Sequence, residues 1–183
     1  MINFPIHLFF RKLFYGYISM QISIPKRKTK RVKWDAYQNG CYFITICTKN
    51  KAHYFGEIKQ QKMYLSKLGN KLSEIIERTL SIREDQYIEI PIYTIMPNHL
   101  HLIITLNYKV DCHQHYFGPQ RKNLSSVIRG IKFALTSYAI ENKISFEWQP
   151  RFYEHIIQNQ KAFDFIYDYI ENNVINWDKD CFY

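Results

Sequence analysis

The chain has 183 residues, a length that suits one domain with a sizeable core. Lysine and arginine number 25 against 16 acidic residues, a formal net charge of +9, which points away from a basic partner and towards an anionic one, nucleic acid first. The four cysteines, Cys41, Cys47, Cys112 and Cys181, form no Cys-x-x-Cys pair; this sets aside a disulfide framework and a structural zinc site and indicates a reducing cytoplasm.

Residues 1–20, MINFPIHLFFRKLFYGYISM, are apolar but broken by Arg11 and Lys12. That pattern fits neither a signal peptide nor a membrane span well, and Met20 opens a more typical soluble beginning, so the first 19 residues read as an upstream start or a short appended segment. No other membrane-spanning candidate appears. Residues 25–33, PKRKTKRVK, are a dense basic run, readable as a solvated arm or as an arm that touches phosphates. The expected organisation is therefore an extension with a basic arm over residues 1–33, followed by a single domain over 34–183.

GCYFITICTK (40–49) is rich in β-branched and aromatic residues and reads as a strand, with the stretch around Met63–Leu65 and the His-bearing stretch as its expected partners. SKLGNKLSEIIERTL (66–80) places Leu68, Leu72, Ile75, Ile76 and Leu80 on one helical face. Next comes MPNHLHLII (96–104), flanked by the strand-like IEIPIYTI and LIITL. Pro97 suits an edge or a strand start. DCHQH (111–115) contains metal-ligating residue types but reads as a loop and a poor site. In NLSSVIRGIKFALTSYAIE (123–141), Leu124, Val127, Ile128, Ile131, Leu135 and Tyr138 form an apolar helical stripe, with Arg129 and Lys132 off it. FEWQPRFYEHIIQN (146–159) looks extended and ends in a short strand. KAFDFIYDYIENNV (161–174) is a third helix, with Phe163, Ile166, Tyr167, Ile170 and Val174 as its core stripe. This mixture predicts an α+β fold of ferredoxin-like kind: an antiparallel sheet with helices on one face and the other face open for a ligand.

In a strand, side chains alternate faces. His99 and His101 then share one side, and Leu100, Leu102 and Ile104 take the other. Two imidazoles so placed can share one divalent ion; the alternative is a pair of structural histidines. Tyr169 lies beside the apolar stripe of the last helix, and Asn173, four residues on, stands above it. A phenol and an amide one turn apart can serve one site. A tyrosine oxygen can attack a phosphodiester and leave a covalent phosphotyrosine, but a phenol of pKa near 10 needs a charged neighbour or metal to do so.

Four segments carry a family resemblance: YQNGCYFITICTKNKAHYFGEI (37–58), YTIMPNHLHLII (93–104), WQPRFYEHIIQN (148–159) and DYIENNVINW (168–177). In this order they resemble the single-tyrosine HUH transposases, in the REP-associated tyrosine transposase-like branch of the insertion-sequence family. The resemblance implies a ferredoxin-like domain that uses Mg²⁺ or Mn²⁺. It also implies cleavage and rejoining of single-stranded DNA, beside a hairpin, through a 5′-phosphotyrosine. It implies His99 and His101 as metal ligands, Tyr169 as nucleophile within a Tyr-Ile-x-x-Asn-Pro pattern, and Asn173 as a third ligand. His155 matches a recurrent family histidine, either an active-site group or a buried structural one. Val174 stands where the pattern has proline; proline would stop the helix there, and valine lets it continue. Charge alone suggests Arg31, Lys33, Arg121, Lys122, Arg129 and Lys132 as phosphate contacts. The rival readings are a non-catalytic hairpin-binding protein, as a decayed copy would be, and a metal-dependent hydrolase in which water attacks. Monomer and homodimer are both open.

Overall fold

The β-branched and aromatic run NGCYFITIC forms strand β1 (Asn39–Cys47), one of the two inner strands of a four-stranded antiparallel sheet. The computed structural model describes residues 39–82, 88–107, 123–180 and 182–183. The expected extension and basic arm, with Arg31 and Lys33, lie outside these residues, as do the DCHQH stretch, Arg121, Lys122 and Cys181.

After β1 come β2 (Gly56–Lys59), β3 (Lys62–Leu65), helix α1 (Lys67–Ile82), β4 (Ile88–Ile95), β5 (His99–Asn107), helix α2 (Leu124–Glu141), β6 (Tyr153–Ile157) and helix α3 (Gln160–Glu171). The sheet order is β4-β5-β1-β6. With β2 and β3 set aside, this is the β-α-β-β-α-β order of the ferredoxin-like fold, as expected. No described helix is long and apolar enough to cross a membrane.

Alternation along the strands builds two layers. Tyr42, Ile44 and Ile46 of β1 join Leu100, Leu102, Ile104 and Leu106 of β5, under Leu72 and Ile76 of α1 and Val127, Ile128 and Ile131 of α2. The opposite face carries Phe43 and Ile103, and α3 covers them with Ile166, Tyr169 and Ile170. Helices therefore lie on both faces. The face expected to stay open holds the terminal helix, because residues 43, 103 and 157 present an apolar surface there that water would otherwise meet. The helix ends carry their own signals. Asn123 and Ser126 form a reciprocal capping box at α2, and the Asn159 side chain caps α3 by accepting from Ala162 N–H at 2.9 Å.

Four local expectations change. Residues 63–65 do not pair with β1, whose two edges are taken by β5 and β6. They pair with β2 through a two-residue turn, Gln60–Gln61, at φ +50° and +59°; positive φ at both central residues matches strand twist. Residues 88–104 are two strands rather than one, folded back at Met96–Asn98, with Pro97 in the turn and Pro91 on the outer strand β4. Helix α3 stops at Glu171, so Val174 does not prolong it; its side chain packs instead with Cys47, Met96, Trp177 and Phe182. Of the stripe expected on α3, Ile166 and Ile170 are fully buried, and Tyr169 is in the buried cluster rather than beside it.

Candidate metal and nucleophile site

Strand β5 turns His99 and His101 towards α3, and the register sets Cys47 and Thr45 of β1 directly beside them. Both imidazoles are fully buried, with ring centroids 4.4 Å apart. Each is oriented by its Nδ1. His99 Nδ1 lies 2.8 Å from Asn98 Oδ1, while the Asn98 amide donates to the Phe182 carbonyl at 2.8 Å and the Lys51 carbonyl at 3.3 Å. The Asn98 oxygen is thereby the acceptor, His99 carries its proton on Nδ1, and the Nε2 lone pair faces inward. His101 Nδ1 lies 2.9 Å from Thr45 Oγ1, which leaves its Nε2 facing inward too. Outer partners of this kind fix the tautomer of metal-binding histidines.

Helix α3 delivers the phenol. Tyr169 packs edge-on against Phe43, and its hydroxyl reaches 3.3 Å from His101 Nε2 and 3.5 Å from Asp180 Oδ2. Asn173, one turn further on, is buried and donates to Asp180 Oδ2 at 3.1 Å. The structure thus brings together His99, His101, Tyr169 and Asn173, and it adds Asp180, which the sequence reading missed. A short turn at Trp177–Lys179 carries Asp180 back over the histidines, where the Phe182 N–H binds its Oδ1 at 2.7 Å. Nothing in the spacing of NWDKDCFY separates Asp180 from Asp178; only the fold buries one and not the other. Phe182 packs against the group, its ring centroid 4.5 Å from that of His99.

The other expected site residues lie elsewhere. His155 faces the same side but stands on the edge strand β6 opposite Phe43, largely exposed and outside the buried group; the partial burial of its ring lowers its pKa from the usual value. Arg129 is exposed on α2, on the far side of the sheet. Lys132 is half-buried there, and its ammonium donates to the carbonyls of Gln149 and Arg151.

Burial is the main force on both histidines. It pushes His101 down to about 4, against an opposing pull from Asp180. It pushes His99 well below 6.5, aided by His101 and the cations nearby. Both are neutral at pH 7, the form that binds metal. The 3.9 Å approach of His99 Nε2 to Asp180 is then not an ion pair, and a buried carboxylate faces two neutral rings. His99 Nε2 and Asn173 Oδ1 are buried with no hydrogen-bond partner; each such atom costs about 1–3 kcal/mol. One ligand atom from each of His99, His101 and Asp180 lies within 4.8 Å of the others. A six-coordinate ion with bonds of about 2.1 Å holds its ligands roughly 3–4 Å apart, so the set fits a small divalent cation after slight closure. The cation would satisfy the orphaned atoms and the carboxylate together.

A buried group of two imidazoles and a carboxylate that could hold a cation thus lies beside a tyrosine hydroxyl on a ferredoxin-like sheet. The chain belongs to the IS200-like transposase family, whose model matches residues 36–173; Asp180 lies beyond that match. It is similar to the REP-associated tyrosine transposase of Escherichia coli K12, at 32% identity over 138 residues, 75% of this chain and 68% of that protein. An uncharacterized protein of Haemophilus influenzae is 38% identical over 176 residues, 87% of this chain and 94% of its own. A REP-associated tyrosine transposase solved bound to a REP hairpin shares the fold, with a TM-score of 0.53 and 23% identity over 80% of this chain and 74% of that one.

Proposed function

We propose that this transposase cleaves and rejoins single-stranded DNA beside a hairpin, with Tyr169 as the nucleophile. The observation that carries the reading is the Tyr169 hydroxyl, 3.3 Å from His101 Nε2 and 3.5 Å from Asp180 Oδ2, where the two histidines and the carboxylate converge. A divalent cation, Mg²⁺ or Mn²⁺, held by His99, His101 and Asp180 with Asn173 beside them, would supply the positive charge that polarises the scissile phosphate. Intrinsic affinity of imidazole favours Mn²⁺ and abundance favours Mg²⁺.

The chain's own groups account for the rest. The Tyr169 oxygen attacks phosphorus, the phosphorus–3′-oxygen bond breaks, and a 5′-phosphotyrosine and a free 3′-hydroxyl result. The phenol gives up its proton as it attacks and the leaving 3′-oxygen takes one up, so the step is neutral in protons. Attack by another strand's 3′-hydroxyl reverses the step and restores the phenol. The bond energy is kept in the covalent link, so no nucleotide is consumed. Asn173 steadies the carboxylate, and Phe43 holds the tyrosine ring. Because Tyr169 is 5% exposed and the histidines are not exposed at all, a phosphodiester reaches them only when surrounding side chains move.

The test is incubation with Mn²⁺ or Mg²⁺ and labelled single-stranded oligonucleotides from the gene's flanks, followed by a denaturing gel. A covalent band is expected that disappears in Tyr169→Phe and with chelator. Cutting that persists in Tyr169→Phe would make water the nucleophile. Tight hairpin binding with no band on any flank would leave a non-catalytic binder.

A further inference from the structure

Helix α2 carries a second feature, which the His99–Tyr169 cluster does not use. Arg129 and Phe133 are four residues apart, so they stand side by side on one helix face, and both are exposed; Phe133 has 71% of its surface bare to solvent. The segment entering β6 adds Trp148, Arg151 and Phe152. With Lys132 they line a groove of about 460 Å³, a volume in the range of small-ligand sites. Three of its lining side chains are aromatic, three are cationic and none is acidic. That pairing of ring faces with positive charge suits an unpaired base and its flanking phosphates.

The wall of the groove is already set. Lys132 Nζ donates to Gln149 O at 2.8 Å and Arg151 O at 3.0 Å, and it lies 5.5 Å over the Trp148 ring. The Trp148 indole donates back to Lys132 O at 3.2 Å. Arg151 follows Pro150 with φ at +67°, a conformation that L residues rarely adopt, and its side chain is exposed at the lip of the groove.

The groove lies at the same end of the sheet as the candidate site. Cys47 is the register partner of His99, and its carbonyl accepts from Gln149 N–H at 2.9 Å. His99 and Gln149 are therefore about two strand widths apart, roughly 10 Å. Tyr169 lies on the other face of the sheet, so a single strand leaving it would round the β6 edge to reach Phe133.

We propose that this groove is a base-stacking subsite for single-stranded DNA: one unpaired base lies on Phe133 against Phe152 and Trp148, with its phosphates on Arg129 and Arg151. The proposal rests on the reading of the chain as a single-strand DNA enzyme, and it adds a site of substrate recognition away from the reacting atoms.

The test is fluorescence anisotropy of a labelled oligothymidylate with the full chain, its Phe133→Ala and Arg129→Ala variants, and a matched oligomer of abasic sugars. Phe133→Ala is expected to melt like the parent chain, since the ring is exposed. It should weaken oligothymidylate binding roughly 5- to 150-fold, the range of one stacked base, and leave binding of the abasic oligomer unchanged. Arg129→Ala should reduce the salt slope by about one. Equal affinity of the parent and Phe133→Ala overturns the subsite; if the Tyr169 adduct still forms, the transposase mechanism stands without it. A parent chain that neither binds single strands nor forms the adduct overturns both. A change in sedimentation of Phe133→Ala with unaltered DNA affinity assigns the groove to a second copy of the chain and overturns the subsite as well.

Discussion

Acidification should unfold this protein through its buried histidines before its carboxylates titrate. In the metal-free chain His101 has its pKa pushed down to about 4 by burial, against about 6.5 in an unfolded chain. Between those values the unfolded chain binds a proton at His101 that the native chain refuses, so stability falls as pH falls through that window. The loss is about 2 kcal/mol between pH 7 and pH 5, and about 3 kcal/mol by pH 4. His99 is shifted in the same direction and adds to it. At pH 5 free aspartates and glutamates, with pKa values near 4, remain mostly ionised in the unfolded chain, so the pH 7 to pH 5 interval isolates the histidines. Urea unfolding in the presence of chelator, read by near-ultraviolet circular dichroism, measures it. Stability that is flat or rising from pH 7 to pH 5 would refute the reasoning, as would an NMR titration of His101 centred near 6.5.

Three further outcomes are expected. Asp180→Asn should lower Mn²⁺ affinity, measured by calorimetry, by more than the roughly 10- to 100-fold that loss of an outer partner costs; unaltered affinity would remove Asp180 from the ligand set. The Cys47 thiol is pushed up to about 12, first by burial and then by Asp180, so at pH 8 it should resist alkylation in the native protein and react once urea is added. Rapid native labelling at Cys47, located by peptide mapping, would contradict its burial. Phe182→Ala removes the ring that packs against His99; it should cost about 3 kcal/mol of stability yet speed formation of the Tyr169 adduct, and slower adduct formation at equal metal affinity would show that Phe182 helps to bind substrate rather than block it.

Much of this molecule was legible in one dimension. Period-two alternation puts His99 and His101 on one face and Leu100, Leu102 and Ile104 on the other because the extended backbone leaves no alternative. Leu72 and Ile76, or Val127, Ile128 and Ile131, fall on one side of a helix for the same local reason. The turn that brings Asn173 above Tyr169 is equally local, and both reach the same carboxylate oxygen. The hairpin of β2 and β3 was not legible, since Gln60–Gln61 lacks the glycine or asparagine that announces such turns. The side of the sheet taken by α3 depends on Phe43 and Ile103, which are some 60 to 120 residues earlier in the chain, as their numbers show. Asp180 is the sharpest case. An aspartate near the end of a chain carries no periodic signal, and its approach to His99 follows from the packing of Trp177 and Phe182 against Cys47 and Met96. Backbone geometry decides which side chains share a face, residue by residue. Which faces meet is decided by burial of apolar surface between distant segments, and only the folded chain contains that information.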